Sequence, residues 1–331
     1  MKTTRLLLTF ATIAVIGFGY SQTFQQNVIT PGDPLSNWNE SPAKTSLLSF
    51  VETVTAETNP NFLPVQDRVA VFDMDGTILL EKPFPVNFDV IIRMMIEQIA
   101  AKPSLTQNKA YKAIHDQNWA YFDTLGIYGE NGLYSILTNA TAGYTEDQYK
   151  DFILKYFKTV KDKRFNKPYN QLVFIPMVQL IRYLQNNQFE VYIVSGSDPQ
   201  FARTFLQDAA NIPASNVIGT TILDRWVETD TGSYLVRLHE IVQPICDEGG
   251  KPVNILNKVG KVPVIAVGNS PGDYPMLEYS KNAPFSLQMI VNHDDSLREY
   301  YYDTEKMNKL CKDNGWKEIS MKNDFKVVFS K

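Results

Sequence analysis

Short apolar runs that end in polar residues recur along the chain, and each has the length of a buried β-strand. They cover residues 69–72, 189–194, 262–267 and 285–291. Between these runs the apolar residues recur at three- and four-residue spacing, which is typical of amphipathic helices. Strands that alternate with helices form a mostly parallel sheet. The pattern therefore predicts an α/β fold with a Rossmann-like parallel sheet flanked by helices.

The chain does not return to a strand directly after the first run. Three stretches show helical periodicity instead: 88–101, 107–121 and 146–159. We therefore expect a helical cap subdomain, residues 83–167, inserted into an α/β core formed by residues 67–82 and 168–331. Inserted lids of this kind exclude water from a reacting centre and contact the substrate.

The remaining segments flank this core. Residues 22–66 are expected to form an extended arm followed by a helix over 41–55, with Ser41 as N-cap, Pro42 at the first helical position and Trp38 as an anchor. This segment should pack beside the core.

Residues 217–242 alternate polar and apolar positions about a Thr-Gly pair, which predicts a β-hairpin. The hairpin either extends the sheet or overhangs the site, and His239 within it is better explained as structural than as a general base. Residues 325–329 are strand-like.

The N-terminus has the pattern of a secretory signal peptide over residues 1–21. Lys2 and Arg5 precede an uncharged run that is short for a membrane span. We therefore expect a secreted or periplasmic protein without a stable membrane anchor after cleavage. Loss of Lys2 and Arg5 changes the net charge from -4 to -6, and such a mildly acidic chain without basic blocks is not typical of nucleic-acid binding.

The chain has two cysteines, Cys246 and Cys311, without metal-ligand spacing. In an oxidising compartment they either pair or remain as two buried free thiols. Neither is expected to be catalytic.

The first strand run is followed at once by two carboxylates, in the sequence Asp73-Met74-Asp75-Gly76-Thr77. Two aspartates at the carboxyl end of a strand can point into one crevice, where open parallel sheets bind ligands. Close carboxylates need a cation or proton between them, and oxygen ligands suit Mg²⁺. One aspartate can attack phosphorus while the other transfers a proton. Gly76 allows close approach to an anion, and Thr77 adds a hydroxyl; the alternative is a surface turn.

Later strand runs bring further polar residues to the same edge. Ser195 and Gly196 follow the second run and can hold a phosphate oxygen, although a simple helix cap is the alternative. Lys251 opens a predicted helix and can neutralise developing charge, with Lys258 and Lys261 as alternatives.

The third strand run ends at Gly268-Asn269-Ser270-Pro271-Gly272-Asp273. Asp273, with Asn269 as a second candidate, can complete an oxygen cage with Asp73. The sequence His293-Asp294-Asp295 resembles a metal motif, but capping before a helix is the simpler interpretation.

These four motifs, in this order, resemble those of the haloacid dehalogenase superfamily of phosphohydrolases over roughly residues 68–291. The insertion resembles a helical cap of the phosphoserine phosphatase type, and secretion and the form of the fourth motif are similar to the secreted phosphorylcholine phosphatase-like branch. The resemblance implies that Asp73 is the nucleophile and Asp75 the general acid/base, whose carbonyl also binds Mg²⁺. It further implies that Ser195 and Lys251 bind the phosphoryl group and that Asp273 anchors the metal.

One position departs from the family pattern, because Asn269 stands where many members have Asp. The site loses one negative charge there. This is the one feature that favours a secreted ligand-binding protein over an enzyme. A phosphotransferase that passes the group to an alcohol is a third alternative.

The expected function is that of a secreted Mg²⁺-dependent phosphomonoesterase acting on a small phosphoserine- or phosphocholine-like metabolite. A second acid beside the nucleophile argues against carbon-halogen chemistry. Glu81 either faces a substrate amine or is a solvated charge. The insertion is rich in aromatic residues, which core packing explains better than a cage for a quaternary ammonium: Phe84, Phe88, Trp119, Tyr121, Phe122, Tyr128 and Tyr134.

Overall fold

A central sheet of six parallel strands organises the molecule. The computed structural model describes residues 32–126, 132–302 and 305–330. The strands are β1 (Val69–Phe72), β2 (Glu190–Val194), β3 (Val217–Ile218), β4 (Ile222–Thr229), β5 (Gly232–Ile241), β6 (Ile265–Gly268), β7 (Leu287–Asn292) and β8 (Lys317–Ser320). The central sheet has the order β3-β2-β1-β6-β7-β8, and each neighbouring pair is parallel. The predicted Rossmann-like sheet is confirmed.

Alternation along the strands explains why both faces of the sheet are covered. In β1 all four residues are buried. Ala70 and Phe72 join one apolar cluster, whereas Val69 and Val71 join a second cluster on the other face. The helices are α1 (Pro42–Thr55), α2 (Val86–Ala101), α3 (Lys109–His115), α4 (Ala120–Asp123), α5 (Leu133–Thr141), α6 (Glu146–Thr159), α7 (Ile175–Asn186), α8 (Pro199–Arg203), α9 (Leu206–Ala210), α10 (Gly250–Val259), α11 (Tyr274–Ser280), α12 (Glu305–Asn314) and α13 (Met321–Asp324).

The register of the three central strands aligns their carboxyl ends. Phe72 of β1 pairs with Ile193 of β2 and with Val267 of β6. The chain order changes direction here, since β2 lies on one side of β1 and β6 on the other. The loops after these strands therefore open into one crevice, which is where a ligand site is expected in such a sheet.

Helices α2 to α6 lie between β1 and β2, as the periodicity predicts, but one predicted helix is broken. Residues 107–121 contain α3 and the start of α4, which are separated by a turn in which Gln117 has a φ of 55°. A residue in the left-handed region cannot continue a right-handed helix. Helix α5 was not predicted.

The hairpin β4-β5 packs against the inserted helices and does not extend the central sheet. The backbone N–H of Gly143 donates to the carbonyl of Arg237 at 2.9 Å, and the N–H of Arg237 donates to Tyr144 at 2.9 Å. The predicted hairpin thus adds a β element to the cap, which was expected to be helical. His239 contacts Asn139 with Nδ1 3.1 Å from the amide oxygen, in agreement with a structural role.

The N- and C-terminal segments pack together beside the sheet. Ser41 caps α1 by accepting from the backbone N–H of Lys44 at 3.2 Å, and Trp38 is fully buried, as expected. The strand predicted over 325–329 is wrong, because Phe325 forms a single bridge to Trp38 while β8 takes the edge beside β7. The burial of β8 increases along the strand without an apolar run, so its sequence gives little signal.

Two further findings concern the termini and the cysteines. Both Cys246 and Cys311 are buried free thiols. The helices of the described residues include none with the length and hydropathy of a membrane span. The predicted leader, residues 1–21, lies outside the described residues.

Candidate active site

The loop after β1 is a tight turn that places two aspartates at the edge of the sheet. The backbone N–H of Asp73 donates to the carbonyl of Val267 at 2.9 Å, which ties the loop to β6. Gly76 has a φ of 79°, and a Cβ there would lie 2.0 Å from the amide nitrogen of Asn269. Glycine is therefore required at this position, both for its backbone conformation and for the close approach of Asn269.

Lys251 lies between two buried carboxylates. Its Nζ donates to Asp73 Oδ1 and Asp273 Oδ1, both at 2.6 Å, and to the carbonyl of Val194 at 3.0 Å. Burial opposes the charge, but the two carboxylates outweigh it and hold the pKa of Lys251 above its usual range. Of the three candidate lysines, Lys251 is therefore the one that lies in the site. Lys258 is exposed, and Lys261 contacts Asp67 on the protein surface.

The two aspartates of the first loop are in different environments. Burial and the neighbouring Asp273 raise the pKa of Asp73, against the effect of Lys251. Burial and the charge of Glu81 raise the pKa of Asp75 to about 7. Ser197 Oγ donates to Asp75 Oδ2 at 3.0 Å, while Asp75 Oδ1 is buried without a hydrogen-bond partner. Asp75 is therefore placed to hold a proton near neutral pH and to give it to a group in the pocket.

Asp273 uses both carboxylate oxygens within the protein. Oδ1 accepts from Lys251, and Oδ2 accepts from the backbone N–H groups of Asn269 and Ser270, both at 2.9 Å. These bonds assign Asp273 the task of holding Lys251 and the loop after β6. The direct metal contact predicted for Asp273 stays a prediction.

Three oxygen-bearing groups converge beside Asp73. One terminal atom of the Asn269 amide lies 3.0 Å from the carbonyl oxygen of Asp75, 3.2 Å from Asp73 Oδ2 and 3.1 Å from Thr77 Oγ1. The other terminal atom lies 3.2 Å from the hydroxyl of Tyr302. With its nitrogen toward the aspartates the amide donates to them. With its oxygen toward them, the amide accepts from the Thr77 hydroxyl at 3.1 Å, and three acceptors face one another, as they would around a cation. We call this point, between Asp73 Oδ2, the Asp75 carbonyl and Asn269, the cation site.

The spacing at the cation site fits magnesium. Octahedral Mg²⁺ with ligands at about 2.1 Å separates adjacent ligand oxygens by about 3.0 Å, and the two distances from Asn269 are 3.0 and 3.2 Å. The charge balance also favours a cation at this point, because the two carboxylates of Asp73 and Asp273 share the single ammonium group of Lys251. Within the described residues, no three His, Cys, Asp or Glu side chains cluster as metal ligands. The donor set here is instead one carboxylate, one backbone carbonyl and one amide.

The loop after β2 forms a second wall of the crevice. The N–H of Ser195 donates to Ile218 at 3.0 Å, and its hydroxyl accepts from the N–H of Ser197 at 3.1 Å. Asp198 caps α8 by accepting from Gln200 at 2.9 Å. Ser195 and Gly196 both line the pocket described next.

A cavity of about 260 Å³ lies over these residues. Its floor, as we use the term below, comprises Asp73, Asp75, Ser195, Gly196 and Lys251 from the core. Its roof comprises the inserted residues Phe88, Ile91, Leu133, Tyr134 and Leu137. Glu81, Pro85, Asn87, Ser197, Asp247 and Ser270 complete the lining. The structure thus brings most of the predicted site residues to one cavity.

Thr77 is placed differently from the prediction. Its side chain is fully buried beneath Asp73, and its hydroxyl faces Asn269, so it does not line the cavity. The tight turn at Gly76 places the Thr77 side chain in this buried position. Direct contact between the Thr77 hydroxyl and a phosphate is therefore corrected to support of the loop.

The aromatic residues of the insertion do not form a cage in the described residues. Of those named above, Phe88 and Tyr134 line the cavity, and Tyr128 lies outside the described residues. Packing accounts for other aromatic residues of the insertion. Phe122, for example, makes an edge-to-face contact with Phe88, with the ring centroids 5.7 Å apart.

Sequence reasoning missed the residues that support the loop from behind. His293 Nε2 lies 2.8 Å from the carbonyl of Gly76, and its Nδ1 lies 3.0 Å from Glu299 Oε2. Tyr302 stacks on His293 with ring centroids 4.1 Å apart. Of the motif at 293–295, Asp295 caps a turn by accepting from Leu297 and Arg298, as the simpler interpretation expects, whereas His293 points inward. Of these supporting residues, only His293 belongs to a motif that the sequence analysis singled out.

Comparison with known proteins agrees with this geometry. The family model of haloacid dehalogenase-like hydrolases matches residues 70–278. No curated protein matches the sequence. A protein of unknown function from Anaerococcus prevotii is 16% identical, with a TM-score of 0.56 over 86% of this chain and 92% of that chain. One from Bordetella pertussis is 16% identical, with a TM-score of 0.51 over 76% and 97%.

These two structures are similar to this chain in fold. The family model covers well over half of the chain and includes the loops after β1, β2 and β6 together with Lys251. The chain therefore belongs to the haloacid dehalogenase-like hydrolase family.

Proposed function

We propose that the protein is a Mg²⁺-dependent phosphomonoesterase that acts through an aspartyl phosphate on Asp73. The observation that carries this proposal is the convergence of a lysine-bound carboxylate, Asp73, with a second carboxyl, Asp75, which lines the same cavity and has one buried oxygen without a hydrogen-bond partner. A nucleophile beside an independent acid is what phosphoester cleavage with an alcohol leaving group requires.

In the first step Asp73 attacks phosphorus while Asp75 gives its proton to the leaving oxygen. The pKa of Asp75, raised to about 7, allows a substantial protonated fraction at neutral pH. Lys251, held by Asp273, faces the charge that builds on the transferring group. Ser195 and Gly196 line the same cavity, which supports a role for them as donors to a phosphate oxygen.

In the second step Asp75, now ionised, takes a proton from the water that attacks the aspartyl phosphate. The P–O bond to Asp73 breaks, its carboxylate is restored, and inorganic phosphate leaves. The apolar side chains of the roof lie over the reacting groups, and a cover of this kind limits the access of bulk water.

Asp73 Oδ2, the Asp75 carbonyl and Asn269 are the groups that would hold Mg²⁺. When bound, the ion neutralises charge on the phosphoryl oxygens. An asparagine at position 269 can therefore serve in a metal-dependent enzyme. It remains the one sequence feature that favours the ligand-binding alternative.

We further propose that the leaving group is small and carries no carboxylate, as in phosphocholine rather than phosphoserine. Among the described residues, the lining includes one cation, Lys251, and it is already paired with two carboxylates. Glu81 and Asp247 add negative charge, and the roof is apolar. A substrate carboxylate would be buried there without a partner, which is costly, whereas an ammonium group would face Glu81 or Asp247.

Secretion is part of the proposal, on the strength of the leader pattern in residues 1–21. N-terminal sequencing of the protein recovered from the producing cells and their medium tests it. A mature N-terminus near residue 22 outside the cytoplasm supports secretion, and an intact Met1 in the cytoplasm contradicts it.

The function is tested by phosphate release from phosphocholine, phosphoethanolamine, phosphoserine and sugar phosphates, with Mg²⁺ and with chelator. We expect Mg²⁺-dependent release that is lost in Asp73→Asn and retained in Asp208→Asn, an exposed aspartate of α9. We expect phosphoserine to be turned over at least about 10-fold less efficiently than phosphocholine.

Two results would contradict the proposal. If no ester is hydrolysed with Mg²⁺ present while phosphocholine still binds, the ligand-binding alternative replaces it. If an added alcohol captures most of the phosphoryl group in place of water, the protein is a phosphotransferase.

A further inference from the structure

The Asn269 amide has two orientations with opposite consequences for the cation site. With its oxygen toward Asp73 and Asp75, it offers a ligand to a cation. With its nitrogen toward them, it donates to Asp73 Oδ2 and to the Asp75 carbonyl, which are the other two ligands. An asparagine ligand thus needs something that distinguishes its two ends, which an aspartate would not need.

Tyr302 is the group at the far end of this amide. Its hydroxyl lies 3.2 Å from the amide of Asn269 and is within hydrogen-bonding reach of the carboxylate of Glu81. Its ring is held in place, stacked 4.1 Å from His293 and with the ammonium of Lys82 4.7 Å from its centre. The hydroxyl therefore has little freedom to move away.

A phenol has one proton to donate. If Tyr302 gives it to Glu81, the hydroxyl can only accept from Asn269, and the amide nitrogen must face Tyr302. The amide oxygen then faces the cation site. A hydrogen bond to a carboxylate is roughly twice as strong as one between neutral groups. Without a cation the amide nitrogen has such a bond to Asp73; when a cation occupies the site and Asp73 binds it, Glu81 favours donation by Tyr302 to its carboxylate over donation to the Asn269 oxygen.

We propose that Tyr302 is a positioning residue: its hydroxyl, which donates to Glu81, accepts from the Asn269 amide nitrogen when Mg²⁺ is bound, so that the amide oxygen faces the cation site. The inference rests on the magnesium dependence in the proposed function. It gives Tyr302 a role that is separate from packing and is required because residue 269 is an asparagine. It also connects the cation site to Glu81, which lines the substrate cavity.

The test is a double-mutant cycle on Mg²⁺ affinity, measured by calorimetry without substrate on the full mature chain. Tyr302→Phe, which keeps the ring, should weaken Mg²⁺ binding about 10-fold when residue 269 is Asn. In the Asn269→Asp background the same change should alter the affinity by less than about 2-fold, because both carboxylate oxygens are equivalent ligands. Tyr301→Phe, at an exposed neighbouring position, should leave the affinity unchanged.

An equal loss in both backgrounds would show that Tyr302 has only a structural role, and no loss in either would show that it does not orient the amide. A second measurement needs no variant at position 302. In the NMR spectrum of the wild-type chain, the side-chain NH₂ signal of Asn269, assigned by its disappearance in Asn269→Asp, should shift on Mg²⁺ addition as its acceptor changes from carboxylate to phenol. An unshifted signal with Mg²⁺ bound would overturn the inference.

The outcome is distinguishable from a failure of the proposed function. If the wild-type chain binds no Mg²⁺ at millimolar concentration, the magnesium dependence and this inference both fall. If it binds Mg²⁺ and hydrolyses phosphomonoesters while Tyr302→Phe binds the ion as tightly as the wild type, only the role of Tyr302 falls.

Discussion

The floor and the roof of the cavity are built by different physical means. Floor residues are fixed by short, charged hydrogen bonds, as in the three bonds of Lys251 to Asp73, Asp273 and Val194. Roof residues are mostly apolar side chains positioned by packing, such as Phe88 against Phe122. Charged hydrogen bonds fix positions and protonation states, whereas packing fixes a shape. The floor is therefore suited to the chemistry and the roof to the choice of substrate.

Polar contacts among the described residues join the inserted part of the chain to the core. The hydroxyl of Tyr134 donates to the carbonyl of Gly196 at 2.9 Å. Arg237 of the hairpin is buried and pairs with Glu146 of α6 at 2.7 Å and with Asp198, which follows the loop after β2. Its guanidinium carbon also lies 4.3 Å from the ring centre of Tyr149. The hairpin thus links the inserted helices to the loop after β2.

The largest effect should come from the floor. Lys251→Met removes the cation that faces the transferring group, so we expect kcat/KM to fall about 10³-fold, or about 4 kcal/mol of transition-state stabilisation. Steady-state kinetics with phosphocholine measure it. Lys258→Met, an exposed lysine of the same helix, is the matched control. Similar losses in both variants would remove Lys251 from the mechanism.

The link between roof and floor should have the next largest effect, on stability. Arg237→Met leaves Asp198 and Glu146 without their cation, and breaking a buried pair in this way costs about 3 kcal/mol. We expect that loss in the free energy of unfolding by urea. Arg225→Met, an exposed arginine on β4, should change it by less than about 0.5 kcal/mol. An unchanged stability in Arg237→Met would mean that the hairpin does not join the two parts.

The roof itself should have the smallest effect, confined to binding. Phe88→Ala removes apolar surface over the leaving group, so we expect KM to rise about 10-fold, or about 1.4 kcal/mol, with kcat within about 2-fold. Phe84→Ala, at an exposed position outside the cavity lining, should change neither constant. A loss in kcat equal to that of a floor variant would break the division between chemistry and selection.

The same division explains what the sequence could predict. Asp73, Ser195 and Asn269 each come within one residue of the end of a strand, and the apolar runs of those strands are visible in the sequence. Parallel register then brings their side chains to one edge without further information. Lys251 follows the same logic less directly, since only its position at the start of α10 marks it.

The roof and the support behind the floor depend on contacts between distant segments. The break at Gln117, the position of the hairpin on the inserted helices and the lining role of Asp247 have no local signal. Tyr302 reaches Asn269 from the loop after β7, and nothing in the spacing of the two residues indicates the contact. Such contacts arise from tertiary packing, which periodicity and motifs do not specify.

The central claim is that Asp73 carries the phosphoryl group between two steps that both use Asp75. The most direct measurement is mass spectrometry of the acid-quenched Asp75→Asn variant after mixing with Mg²⁺ and an aryl phosphate, whose leaving group needs no proton. The first step then proceeds while the second is slowed, since activation of the attacking water is lost. We expect the peptide that contains Asp73 to gain the mass of one phosphoryl group. Phosphate release by the wild type together with an unmodified Asp73 peptide in Asp75→Asn would contradict the account.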